Sequence, residues 1–176
     1  SSSYRPGDLL KALNGKIIEV LNTDAEGRVI LADALAYAER YKPGLLVDFA
    51  TLTGAAHSAL GHYASAIFTN RDVLLPSLMD IGQQSGDFVW PLPLWDEYLA
   101  DIKGTFGDLA NIGKHDRHGG AIHGAKFLEQ FAGDARFVHI DIAPRMTTVD
   151  SDILAKGASG VGVRFIVELA KQYPKL

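Results

Sequence analysis

The 176-residue chain contains no cysteine. That excludes a disulfide framework, thiolate metal ligation and a cysteine nucleophile, and it fits a reducing, cytoplasmic setting, which is the expectation for location. No apolar run approaches the roughly 18 residues of a membrane-spanning helix, and the start lacks a charged-then-apolar signal pattern. A membrane role is not expected. Excess positive charge is missing as well: 17 Lys and Arg stand against 21 Asp and Glu, a formal charge of −4. With no basic run there is no electrostatic footprint for nucleic acid. An initiator methionine is also lacking, since the chain opens Ser1-Ser2-Ser3; it is expected to be a piece of a longer or processed protein.

What is present is a core. A chain that is 47% hydrophobic and 22% charged predicts one compact domain. Residues 16–21, 45–49, 64–69 and 137–142 read as strands, and 29–40, 73–84, 120–131 and 161–171 as helices. Strands alternating with helices predict an α/β fold, a mostly parallel sheet with helices on both faces. Helix 29–40 carries apolar residues around much of its circumference, so burial between a sheet and another layer is expected. Ala50 to Gly54 would be the loop at a strand's carboxyl end, where open α/β sheets place their sites.

The chemistry-bearing stretch is Asn22-Thr23-Asp24-Ala25-Glu26-Gly27-Arg28. If extended, its period of two sends Asp24, Glu26 and Arg28 to one side, where two acids hold a cation and a guanidinium holds an anion. In a continuous helix Glu26 would point away from the other two. A second reading of the same residues is a capping box, with Thr23 capping the helix and Glu26 reaching back to the Thr23 amide.

Extended through Val29-Ile30-Leu31-Ala32-Asp33-Ala34-Leu35, this string resembles the signature of the leucine aminopeptidase (cytosol aminopeptidase) family of dinuclear metallopeptidases. The likeness continues through Arg5-Pro6-Gly7-Asp8, Asp48 to Ala55, Trp90 to Leu94, Asp108 to Gly113 and His139 to Ala143. The resemblance implies a Zn-peptidase-like three-layer αβα fold and removal of leucine-like amino-terminal residues from peptides. It implies two divalent metals, zinc or manganese, with Asp24 on one and Glu26 bridging both, and Arg28 holding a bicarbonate that acts as general base. Oxygen donors suit such cations, and the planar fork of arginine suits a carbonate. By the same resemblance Thr51, Leu52, Gly54, Ala143 and Met146 line the substrate site, and the protein assembles as a homohexamer.

Two departures stand out. The family's upstream lysines and aspartates that complete the site have no counterpart here, so the chain is expected to be a catalytic-domain fragment, residues 1–176, lacking the amino-terminal domain and the first part of the catalytic domain. The alternative is a non-catalytic assembly or binding module with an incomplete metal site. Secondly, Pro144-Arg145 replaces the family's usual glycine after Ala143, which bears on pocket shape.

Six glycines between Gly104 and Gly124, with the string Lys114 to Gly120, predict a mobile loop, either a rim donating to anions or a solvated connection. His115 and His118 have a zinc-like local spacing but lack a third ligand; His57, His62, His123 and His139 read as packed or hydrogen-bonded. Gly157 to Gly162 reads as close helix packing rather than a phosphate loop.

Overall fold

Each long apolar run becomes a strand or helix near the position its periodicity predicts. The computed structural model describes residues 3–114 and 118–173. Along the chain come β1 (Leu9–Lys11), β2 (Ile17–Glu19), α1 (Glu26–Glu39), β3 (Leu46–Ala50), α2 (Gly54–Leu60) and β4 (Ser65–Thr69). Then follow α3 (Leu75–Ser85), β5 (Val89–Pro91), β6 (Leu109–Ala110), α4 (Gly120–Glu129), β7 (Phe137–Asp141) and α5 (Val163–Gln172). Short 3-10 helices occupy Thr23–Ala25, Asp72–Leu74, Asp96–Ile102 and Ala143–Arg145. The fold is mixed α/β with two sheets flanked by helices, and the chain divides into two compact units.

The first unit comprises the residues up to Leu46 together with Pro93–Phe137. Its sheet has the order β1-β2-β6, with β1 antiparallel and β6 parallel to β2. α1 packs on α4, and α4 packs on the 3-10 helix 96–102. There Lys126, 1% exposed, pairs with Asp96 at 2.8 Å and Glu129 at 2.6 Å. Burial pushes its ammonium down, but the hydrogen bonds it donates to both carboxylates outweigh burial and lift its pKa above that of an ordinary lysine.

Two expectations need correction in this unit. α1 starts at Glu26 rather than Val29, and it is not buried all round: Ile30 is 68% and Tyr37 51% exposed. Its buried positions, Arg28, Ala32, Leu35 and Ala36, form one stripe at helical spacing. The glycine-rich stretch, expected as a mobile loop, mixes exposed residues such as Phe106, 81% exposed, with packed ones. Leu109, Ala110 and Asn111 are buried. A Cβ on Gly107 would lie 2.8 Å from the Ile17 carbonyl oxygen, and one on Gly113 2.1 Å from His123 Nδ1. These glycines serve close approach. His115, Asp116 and Arg117 lie outside the described residues, and the proposed His115–His118 pair with them.

The second unit comprises Val47–Leu92 and the residues from Val138 onward. Its sheet has the order β3-β7-β4-β5. β4 is parallel to β5 and antiparallel to β7. β3 and β7 join like ends, Leu46 N–H to the Arg136 carbonyl and Ile142 N–H to the Ala50 carbonyl, so they run parallel. The sheet is therefore mostly parallel. α3 packs on α5. Buried Asp87 accepts from the N–H groups of Gly162 and Phe165, both at 3.2 Å, capping α5 from another element. A Cβ on Gly162 would sit 2.9 Å from the Phe49 ring, so this glycine also serves close packing.

Candidate functional site

Because β3 and β7 run side by side in the same direction, the segments leaving their carboxyl ends emerge together. Thr51 to Thr53 follow β3 and lead into α2. Ile142 follows β7 and leads into the 3-10 helix Ala143–Arg145. Between them is a pocket of about 310 Å³ lined by Thr51, Leu52, Thr53, Gly54, His57, Ala143 and Met146. All five residues assigned to the substrate site from sequence are among them. A Cβ built on Gly54 would meet no protein atom within 4 Å. The fold's own packing does not require glycine there; the space it leaves belongs to the pocket.

A buried carboxylate holds both walls. Asp141, fully buried, accepts from Leu52 N–H at 3.1 Å and Ala143 N–H at 3.2 Å through Oδ1, and from the Thr53 hydroxyl at 2.6 Å through Oδ2. Thr53 Oγ1 in turn accepts from Ala56 N–H at 3.1 Å and caps α2. Pro144 and Arg145 do not line the pocket. Arg145 is buried, donates to the His62 carbonyl at 2.9 Å and pairs with Asp152 at 3.3 Å. Ala143 and Met146 are three residues apart, which puts them on one face of a 3-10 turn and Arg145 elsewhere.

In the first unit the acidic motif is neither extended nor a capping box. Asn22 has extended backbone and its side chain accepts from Asp24 N–H at 2.9 Å, so Asn22 caps, and Thr23–Ala25 runs as a 3-10 helix into α1. The helical reading therefore applies, and the alternation that would align Asp24, Glu26 and Arg28 does not. Asp24 and Glu26 are exposed, while Arg28 is 7% exposed and donates from Nη1 to the Asn111 carbonyl at 3.0 Å. Asn111, fully buried, organises the turn. Its Oδ1 accepts from Leu21 N–H at 2.8 Å and Asn22 N–H at 3.2 Å, and its Nδ2 donates to the Asn22 carbonyl at 2.6 Å.

The donors fit a divalent cation in kind but not in number. Asp24 and Glu26 offer hard carboxylate oxygens at the start of a helix. Among the described residues no group of three or more His, Asp or Glu side chains is placed to hold a metal ion. Gly27 adds an independent mark. It has helical backbone, and a Cβ there would meet nothing within 4 Å, although glycine in a helix costs up to about 1 kcal/mol relative to alanine.

Sequence reasoning missed Asp141, Asn111, Thr53 and His57 as parts of these two arrangements. The first three lie in the quoted strings His139 to Ala143, Asp108 to Gly113 and Asp48 to Ala55, so a signal existed. The histidines sit as expected: His139 Nδ1 is 2.8 Å from Asp48 Oδ1 and His123 Nε2 is 3.1 Å from Asp101 Oδ2. A larger cavity of about 780 Å³ in the first unit, lined by Lys16, Lys103, Asp96 and Asp108 among others, contains none of the assigned residues. Its two acids are already engaged, Asp96 by Lys126 and Asp108 by the Ile17 N–H.

Comparison with known proteins is consistent throughout. The model of the cytosol aminopeptidase family's catalytic domain matches residues 1–167. A probable cytosol aminopeptidase of Syntrophotalea carbinolica is 49% identical over 98% of this chain and 34% of its own length. A cytosol aminopeptidase of Vibrio cholerae is 48% identical over 96% of this chain and 32% of its own. Among solved structures, a mutant tomato leucine aminopeptidase superposes with a TM-score of 0.87 at 40% identity, covering 96% of this chain and 32% of that one. The chain thus spans about a third of the length of these relatives.

Proposed function

Since this chain belongs to the cytosol aminopeptidase family, in its catalytic domain, we propose that it carries part of the metal site and the substrate pocket of an enzyme that removes amino-terminal residues from peptides. The observation that carries this reading is the pocket at the ends of β3 and β7, which gathers Thr51, Leu52, Gly54, Ala143 and Met146. A concave site of aliphatic walls with few polar groups suits a leucine- or methionine-like side chain.

In this proposal Asp24 and Glu26 are metal ligands, and the donors they lack come from outside the described residues. The chemistry supplied when two divalent ions, zinc or manganese, are bound is polarisation of the scissile carbonyl and activation of water. This chain's own groups position and exclude. Asn111 fixes the turn that presents Asp24. Asp141 fixes the Leu52 and Ala143 segments, so that the Leu52 carbonyl is presented to substrate. Arg28 is proposed to hold the bicarbonate; its burial restricts its rotamers, which favours a fixed anion site. A cytoplasmic location follows the names of the relatives, and assembly as a hexamer rests on the family resemblance.

The donor set, incomplete among the described residues, favours a second reading for this chain by itself, a binding or assembly module that holds no metal. Elemental analysis beside hydrolysis of leucyl peptides, on the full-length protein and on this chain, separates the two. About two metals per full-length subunit with release of leucine is expected. A full-length protein that binds no metal and releases nothing overturns the enzyme reading.

A further inference from the structure

The pocket at the ends of β3 and β7 is not purely apolar. His57 lies on α2, one turn beyond the Thr53 cap, and forms part of the pocket wall. Its ring packs edge-to-face on His62 with centroids 4.5 Å apart, and its Nδ1 lies 3.5 Å from the Ala143 carbonyl oxygen. A carbonyl oxygen only accepts, so that contact is served by the Nδ1–H tautomer, in which Nε2 is an acceptor. The neighbouring Thr53 hydroxyl is already used, donating to Asp141 and accepting from Ala56 N–H. Leucine would need none of this: Leu52, Ala143 and Met146 already supply aliphatic walls.

From this geometry we infer that His57 is a specificity-determining residue of the pocket, the acceptor for a first-residue side chain that ends in an uncharged hydrogen-bond donor, with glutamine and asparagine the best fit. A charged head is disfavoured because the same apolar walls would strip its water. A site built to accept a hydrogen bond discriminates against ligands that cannot make it more strongly than an apolar wall discriminates by size. The inference rests on the aminopeptidase reading and makes it more specific.

The experiment uses the full-length metal-loaded protein and dipeptides X-Gly with X = Leu, Met, Gln or Asn, comparing wild type, His57→Leu and His57→Gln. His57→Leu is expected to lower the Gln-to-Leu ratio of kcat/KM by roughly tenfold. His57→Gln keeps an acceptor at similar reach and should hold that ratio within about threefold of wild type. Melting temperatures of both variants guard against misfolding, and the glutamine variant carries the test if the leucine variant does not fold. An unchanged ratio in His57→Leu overturns the inference, as does an equal fall in His57→Gln. A wild-type protein that hydrolyses none of the four dipeptides overturns the aminopeptidase reading and this inference together.

Discussion

The acidic turn of the first unit and the pocket of the second differ in how much of each the chain completes by itself. The pocket walls are tied by Asp141, a fully buried carboxylate accepting three hydrogen bonds, and the pocket exists without any ligand. The acidic turn is tied through Asn111 behind it, but the two carboxylates it presents are exposed, and among the described residues no third His, Asp or Glu joins them to hold a cation. The difference has a physical origin. Apolar walls gain by burial and can be shaped by local packing alone, whereas like charges gathered for a metal repel one another until the cation arrives. An apolar pocket can therefore be complete while, among the described residues, the donor set for a metal is not.

The sharpest way to break that contrast is to change one residue on each side. Glu26→Gln in the full-length protein should lower turnover by about a thousandfold or more and reduce metal content, since it removes a charge the proposed ions require. Its thermal stability should shift little, because the side chain is exposed. Near-normal turnover would reduce Glu26 to an ordinary helix-start acid. Asp141→Ala should act the other way, lowering the stability of its unit by about 3 kcal/mol by leaving two N–H groups and a hydroxyl without their acceptor. Asp141→Asn keeps an oxygen for the Leu52 and Ala143 N–H groups and should be milder. Urea unfolding of both variants measures this, and equal losses would mean the clamp works by shape rather than by hydrogen bonding.

Much of this was legible in the chain and some was not. The cores of β2, β3, β4, β7 and α3 to α5 follow from apolar periodicity and from the Pro and Gly that bound them, because burial of one face is a local pattern. The short strands β1, β5 and β6 were missed, since two or three residues carry no period unless, as with β2 inside Lys16 to Leu21, a longer alternating run frames them. α2 was missed because Gly54 to Leu60 is short and small-sided, and what starts it is the Thr53 side chain. The sequence pairs Leu52 and Ala143 with the same site through a family resemblance, not through physics. Only the parallel run of β3 and β7 explains why they meet. The alternation of Asp24, Glu26 and Arg28, read on condition that the stretch is extended, does not apply because the Asn22 cap starts a 3-10 helix at Thr23. An N-cap two residues ahead of the acid turns the motif helical before its period of two can apply.

A further, pH-conditioned effect tests how the first unit holds the ladder leading into the acidic turn. Glu19, on β2, accepts from Phe106 N–H at 3.1 Å and Thr105 N–H at 2.6 Å. Those bonds, Phe106 first, hold its carboxyl below the ordinary value of 4.5. The folded state thus binds this proton less readily than the unfolded chain. The stabilisation is complete above pH 4.5 and is lost as the pH falls through the lower folded-state value. Glu19→Gln should flatten the acid limb of the stability profile of the first unit while leaving the Asp141 clamp of the second untouched. An acid limb of unchanged steepness would mean other carboxylates govern it.

Gly27 offers the smallest change and the finest separation between stability and site. It stands between Glu26 and Arg28 in the first turn of α1, with no protein atom within 4 Å of where a Cβ would lie, and its backbone is helical. Alanine satisfies that backbone and restricts the unfolded chain, so Gly27→Ala should stabilise the protein by about 0.5–1 kcal/mol. If the open space beside Gly27 is only solvent, that gain comes with unchanged turnover and metal content in the full-length protein. If a ligand or another part of the catalytic centre approaches the helix there, the added methyl group collides with it, and turnover falls while the melting temperature rises. Opposite movement of those two readings is what the proposed metal site predicts, and a rise in stability with activity intact would assign the glycine to neither packing nor chemistry.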